Sequence, residues 1–299
     1  MSTSDEAVVI WGELLWDRFG DGATLGGAPA NVAWHLGQAG GWARLVTRVG
    51  DDADGRLAIE GISAFVDTAL VQVDPERATG EVTVAIVDGE PRYTLQPGRA
   101  WERIQCTPDV ATAIEEAGVL IYGTLAQRTP VGLAEWENAI AAAGPGCMKV
   151  CDVNLRRRSD GVMIEDPHVV ERALAAADVI KVNDKELATL AKTFGWADPI
   201  DHLRTNRRVL AVTHGAAGST LYGDGAPIDI GGVQSRAGGD NVGCGDAYVA
   251  LLVLGMTMGF DLATSGRIAS RWAAAVAGVR GATPVFTDEE IAAMMENDA

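Results

Sequence analysis

Residues 237–254 read AGGDNVGCGDAYVALLVL, with Asp246 set among glycines and followed at once by an apolar run. A helix beginning near Asp246 would bring the N–H groups of Gly243, Cys244 and Gly245 and the positive end of its dipole to one point. Such a point is a pocket for an anion. A carboxylate beside it opposes the charge it attracts. That makes sense if Asp246 accepts the proton of a hydroxyl attacking phosphorus while the N–H groups stabilise the transferring phosphoryl group. The plainer alternative is a helix start, where a carboxylate is favoured by a few tenths to about 1 kcal/mol. The segment alone leaves both open.

Three further stretches carry polar groups at useful spacing. In LGGAPANVAWHLGQAG, residues 25–40, Gly26 and Gly27 let backbone approach a neighbour closely, Pro29 suits a first helical turn, and Asn31 projects an amide from that turn. This is either the floor of a site for a polar, uncharged ligand or a tight strand-to-helix turn with no ligand. In VNDKEL, residues 182–187, Asn183 and Glu186 share one face at the start of a helix, at the carboxyl end of a strand. A carboxylate there suits a hydrated Mg²⁺ beside phosphates, and the same pair suits a capping box. In VTHGAAGSTLY, residues 212–222, Thr213, Gly215 and Gly218 offer either a phosphate cradle or a hairpin turn. His35 and His214 fall inside these stretches and read as packing or hydrogen-bonding residues. No GxxxxGK[ST] segment, no GxGxxG after the first strand and no GxSxG elbow occurs, which speaks against P-loop, Rossmann and serine-hydrolase chemistry.

The elements that must position these groups follow from periodicity. Apolar runs of buried-strand type at 7–11, 43–49, 118–123, 148–154, 178–183 and 208–215 alternate with helical patterns at 29–39, 131–143, 167–177, 184–194, 246–258 and 262–279. Such alternation predicts an α/β fold with a central, mostly parallel sheet flanked by helices on both faces. Residues 79–95 break it, alternating with period two around an Asp-Gly turn as a β-hairpin does. With a strand-like piece at 13–25, they predict a small β-sheet lid, formed by roughly 13–25 and 79–96 and inserted in one domain spanning 1–299. The hairpin places Val82, Val84 and Ile86 on one side and Thr83, Ala85 and Val87 on the other, which suggests that the lid buries more than a ligand.

Lys and Arg number 24 against 41 Asp and Glu, and the net charge of −17 repels DNA, RNA and anionic lipid. No nucleic-acid or membrane partner is expected, and a small polyanion would have to be held by local N–H groups, helix ends or a metal. Cys106, Cys147, Cys151 and Cys244 include no CxxC and read as reduced thiols. The acidic N-terminus does not read as a signal peptide, and no apolar run is long enough to span a membrane, so a cytoplasmic protein is expected.

In this order the motifs resemble those of the ribokinase-like, or PfkB, family of carbohydrate kinases, from about Val8 to Pro284. LGGAPANVAWHLGQAGG is similar to the family's N-terminal signature and DNVGCGDAY to its C-terminal one, with GTLAQR, CDVNLR, IKVNDKEL, VTHGAAGS and GATP between and after them. The phrasing is nearest the bacterial fructokinase branch. The resemblance implies ATP-dependent transfer of the γ-phosphoryl group to a sugar hydroxyl, with Asp246 as base and Gly243, Cys244 and Gly245 as anion hole. It implies that Asp17, Gly27 and Asn31 hold the sugar, that Ala28 packs on it, and that Arg156 contacts sugar or phosphate. Asn183 and Glu186 would organise Mg²⁺ and phosphates through water, and Thr213, Gly215 and Gly218 would lie along the nucleotide. Asp240 and the Val242 carbonyl would bind a monovalent cation, typically K⁺, and the lid would form a homodimer. Cys244 stands where alanine or glycine is usual, Asn241 and Leu251 where smaller or β-branched residues are, and Glu102 of AWERI where aspartate is. The alternatives are a kinase for ribose, 2-keto-3-deoxygluconate or a nucleoside, and a non-catalytic sugar or nucleotide sensor.

Overall fold

The computed structural model describes residues 6–19, 22–87, 90–156, 163, 165–205 and 209–296. The strands in chain order are β1 (Val8–Trp11), β2 (Leu15–Phe19), β3 (Gly22–Gly26), β4 (Ala43–Gly50), β5 (Val71–Asp74), β6 (Gly80–Val87) and β7 (Glu90–Leu95). They continue with β8 (Val119–Tyr122), β9 (Met148–Asp152), β10 (Val179–Asn183), β11 (Val209–Thr213), β12 (Gly218–Tyr222) and β13 (Ile228–Gly231). Among the described residues they form a 9-stranded sheet, β13-β12-β11-β10-β9-β8-β1-β4-β5, and a 4-stranded one, β3-β2-β6-β7.

The larger sheet is parallel from β11 to β5, and β12 and β13 extend it antiparallel. Every residue of β1 and of β8 is buried, as expected of strands covered on both faces. Their alternation splits the core in two. Val8 and Ile10 pack into one layer with α1 (Ala28–Gln38), α2 (Ala53–Ile62), α8 (Cys244–Thr257) and α9 (Leu262–Ala277), whereas Val9 and Trp11 face the other. That second layer is covered by α3 (Pro108–Glu115), α4 (Pro130–Ala142), α5 (Pro167–Ala176) and α6 (Asp184–Phe194), while α7 (Pro199–Leu203) and α10 (Asp288–Met294) are short. α8 is buried on all sides from Asp246 to Gly255, which explains a sequence without a polar face. From β1 the chain runs outward through β4 to β5, then returns to β8 on β1's other side, so strand order reverses between β1 and β8. The carboxyl ends of these strands form the crevice in which open α/β sheets hold ligands.

The smaller sheet pairs β2 antiparallel with β3 and parallel with β6, and β6 antiparallel with β7. Leu15 and Val82 are buried against Leu95, while Thr83 points to solvent. The side chains of 84–93, and so most of the expected alternating faces, lie outside the described residues, as does the Asp-Gly turn. Trp16 Nε1 donates to the Asp54 carbonyl at 3.0 Å and Arg18 Nε to Glu81 at 2.8 Å, tying the sheet to the start of α2 and across its own strands.

The structure differs from the sequence reading in detail. The piece at 13–25 is two strands, not one. α8 starts two residues before Asp246, with Gly243 at its cap. β5, β12, β13 and the helices α2, α3, α7 and α10 were not expected. β12 and β13 sit at the sheet edge as short half-exposed strands, where apolar patterning is weak.

Candidate functional site

Two helix N-termini meet at the strand-order reversal. Gly27 caps α1 at φ 106, and a side chain there would come within 2.4 Å of the Glu13 carbonyl. At Gly26 a Cβ would lie 2.4 Å from Asp17 Oδ2, a side-chain contact that the carboxylate could relieve by moving. These glycines let β3 pass against the segment carrying Asp17. Asn31, buried in the first turn of α1, donates from Nδ2 to Asp246 Oδ2 at 2.8 Å across 215 residues of chain. The bond joins the two glycine motifs directly.

At α8, Gly243 adopts φ 78, and an added Cβ would lie 2.6 Å from the Ala282 carbonyl, so only glycine fits. Asp246 lies in the first turn and is 8% exposed. Burial, reinforced by the charge of Asp152, pushes its carboxyl up to about 7, against the lowering influence of the Asn31 hydrogen bond, Lys181 and Arg156. A carboxylate balanced near neutrality suits proton abstraction at neutral pH. Burial and the charges of Asp240 and Asp246 push the Cys244 thiol up to about 11, so it is uncharged at neutral pH and adds no negative charge to this turn.

Acidic groups crowd the crevice around Arg156. Glu13, Asp17 and Glu165 are each raised by burial, opposed in each case by Arg156. Arg156 donates through Nη1 to the carbonyl and Oδ1 of Asn154 at 2.6 and 2.7 Å, and Asn154 takes a left-handed φ of 37. A non-glycine residue held in that region is strained, and such strain gathers at functional sites. Asp17 touches the glycine turn, and Ala28 and Arg156 line one small cavity of about 20 Å³ with Glu13, Asp152 and Asn154. That cavity is water-sized and forms the floor of the crevice.

On the other side of α8 lies a cavity of about 850 Å³, lined by Asn183, Thr213, Gly215, Gly218, Cys244 and Gly245 among others. It is large enough for a nucleotide. Asn183 and Glu186 form a reciprocal capping box, with Asn183 N–H donating to Glu186 Oε2 at 2.8 Å and Glu186 N–H to Asn183 Oδ1 at 2.9 Å. The capping reading is therefore met, and Oε1 of this buried carboxylate accepts nothing among the described residues. Thr213 ends β11, and the turn to β12 is a hairpin whose Gly218 admits no side chain, because a Cβ would meet the Ile230 carbonyl at 2.0 Å. Gly218 is thus required by strand pairing as well as facing the cavity. Asp240 accepts from Val242 N–H at 3.0 Å and from Gly281 N–H at 3.2 Å, closing the loop before α8.

His35 is structural. Its Nδ1 accepts from Trp272 Nε1 at 3.2 Å, which leaves Nε2–H to donate to the Ala282 carbonyl at 2.8 Å, and burial lowers the ring to about 4. His214 bonds Asp184 and Thr220 beside the larger cavity. Glu102 accepts from Gly98 N–H at 2.9 Å and pairs with Arg128, whose guanidinium lies 4.7 Å from the Trp101 ring centre. It thereby fastens the end of the smaller sheet to the main body.

Sequence reasoning missed Lys181 and Asp152. Both are buried, with Lys181 Nζ 3.1 Å from Asp152 Oδ1, and Asp152 Oδ2 has no hydrogen-bond partner among the described residues. Burial works against the lysine's charge, but the carboxylates of Asp152, Glu186 and Asp246 outweigh it and hold the ammonium above its ordinary range. The available signal was a charge inside each of the apolar runs VIKVN and VCDVN.

The chain matches the pfkB family carbohydrate kinase over residues 20–289. It is 27% identical to a putative sugar kinase of Pyrococcus horikoshii over 89% of this chain and 84% of that one. It is 29% identical to the fructokinase of Vibrio alginolyticus over 76% and 75%. The solved fructokinase of Xylella fastidiosa with bound ATP has a TM-score of 0.84 and 22% identity, covering 96% of this chain and 97% of the other. The protein belongs to the pfkB family of carbohydrate kinases, and its fold is ribokinase-like. Among the described residues, no helix is long and apolar enough to cross a membrane.

Proposed function

We propose that this carbohydrate kinase transfers the γ-phosphoryl group of ATP to a hydroxyl of a neutral sugar, with fructose as the acceptor. The observation that carries the reading is the Asn31–Asp246 hydrogen bond, which joins the two glycine motifs and holds a buried carboxylate with raised pKa in the first turn of α8. Asp17, Asn31 and the Gly26–Gly27 backbone orient the sugar's hydroxyls, with Ala28 and Arg156 beside them. Asp246 takes the proton of the attacking hydroxyl while the N–H groups of Gly243, Cys244 and Gly245 stabilise the transferring group. Carboxylates outnumber cations here, with Glu13, Asp17, Asp152, Glu165 and Asp246 facing Arg156 and Lys181, so an acceptor bearing its own carboxylate is disfavoured.

Asn183, Thr213, Gly215 and Gly218 line the nucleotide side. Mg²⁺ fits Glu186: among the described residues no cluster of three ligating side chains exists, and one free carboxylate oxygen beside a phosphate site is what a largely hydrated Mg²⁺ requires. When bound it neutralises phosphate charge. K⁺ fits Asp240 and the Val242 carbonyl, where each aspartate oxygen accepts one N–H and keeps a lone pair. The smaller sheet is proposed as a lid, inserted in one domain, that shuts out water and forms a homodimer, for which light scattering is the test. ATP use and four free cysteines suit the cytoplasm.

The test is ADP release across a sugar panel. Fructose turned over faster than ribose, a nucleoside or 2-keto-3-deoxygluconate is the expected result, and no turnover with fructose overturns the acceptor. Sugar binding by calorimetry without turnover of any acceptor would favour a sensor instead.

A further inference from the structure

We infer that Lys181 is a catalytic residue that contacts the transferring phosphoryl group from beneath the first turn of α8. Lys181 occupies the middle of β10, where its neighbours Ile180 and Val182 are fully buried and apolar. Its ammonium reaches the wall of the 850 Å³ cavity beside Asn183, Gly245 and Tyr248. It ends directly under the helix start: a Cβ added to Gly245 would stand 2.8 Å from Nζ. The absence of a side chain at Gly245 therefore does two things, exposing an N–H to an anion and leaving that anion within reach of a cation.

The ammonium has three donors, and Asp152 Oδ1 is the one acceptor found for it among the described residues. A purely structural ion pair at this depth contributes little, since well-packed apolar residues of similar volume are commonly as stable or more so. Its surroundings are also too acidic for a simple pair. Asp152, Glu186 and Asp246 all act on Lys181, so this buried cation faces three carboxylates rather than one. A phosphoryl group at the helix N-terminus would lie next to the two unused donors. Lys181 would then share the negative charge of that group with the N–H groups of Gly243, Cys244 and Gly245, while Asp246 faces the acceptor.

The assignment rests on the kinase reading above, and its test separates the two. Calorimetry on the full chain measures the affinities for ADP and for the non-hydrolysable analogue AMP-PNP, which carries the third phosphoryl group. Lys181→Met strips buried Asp152 of its partner cation, so Lys181→Met/Asp152→Asn, which replaces both charged partners, is measured beside it, with Asp152→Asn as control. The double variant is expected to lose about ten- to hundredfold in AMP-PNP affinity. ADP should stay within about threefold and Asp152→Asn should retain the preference for AMP-PNP. Equal losses for both nucleotides, or none for either, overturn the role of Lys181 and leave the kinase reading standing. A wild-type chain that binds neither nucleotide overturns both.

Discussion

Asp246→Asn separates what the buried carboxylate does for catalysis from what it costs the fold. The substitution keeps shape and still accepts the Asn31 amide at 2.8 Å, but it removes the charge. Burial lifts the carboxyl from 3.8 to about 7. An aspartate raised in the folded state favours the native protein only at low pH, and that advantage is lost as pH rises through the folded value. Above about pH 7 the ionised group therefore weighs on the free protein by several kcal/mol, a penalty that shrinks as pH falls towards 5 and vanishes below about 4. Asparagine carries no such penalty. Asp246→Asn is expected to raise urea-unfolding stability at pH 8 by a sizeable part of that amount, with a smaller gain at pH 5. In coupled assays its turnover should fall about a hundredfold or more, with ATP binding nearly intact. Turnover near wild type would remove Asp246 from its role, and a variant no more stable than wild type at pH 8 would refute the burial argument.

Gly243→Ala forces a side chain into φ 78 and against the Ala282 carbonyl, and is expected to lower stability by ~2 kcal/mol or more in thermal unfolding while weakening nucleotide binding. Glu186→Gln keeps a capping-box partner, so stability should change by less than ~1 kcal/mol while the Mg²⁺ concentration for half-maximal rate rises several-fold. Were Glu186 only a cap, the Mg²⁺ titration would not move. Replacing fructose by 2-keto-3-deoxygluconate should lower kcat/KM by about tenfold or more, because its carboxylate meets Glu13, Asp17 and Glu165. Equal rates would show that the acidic crevice does not select.

The large sheet was legible because β1 and β8 are uninterrupted apolar runs, and the helices because their faces repeat at three and four. The edge strands β12 and β13 were not, since half-exposed strands of four and five residues lack a pattern. Asp246 was singled out from its glycines and the apolar run after them, yet its hydrogen-bond partner Asn31 lies 215 residues away and no local signal links them. Lys181 and Asp152 escaped because each sits inside a hydrophobic run, where one charge reads as an interruption of a strand. VNDKEL was ambiguous for a physical reason. The same two side chains that cap α6 leave one carboxylate oxygen of Glu186 without a hydrogen bond among the described residues.

The central claim is that Asp246, raised by burial, takes the acceptor's proton. The pH dependence of kcat/KM for the sugar at saturating nucleotide tests it most directly, since this ratio reports ionisation in the enzyme before the sugar binds. The account predicts a rate that is level above about pH 7 and falls about tenfold per pH unit below it, with that limb missing in the residual activity of Asp246→Asn. A wild-type rate that stays level down to pH 5 would contradict it.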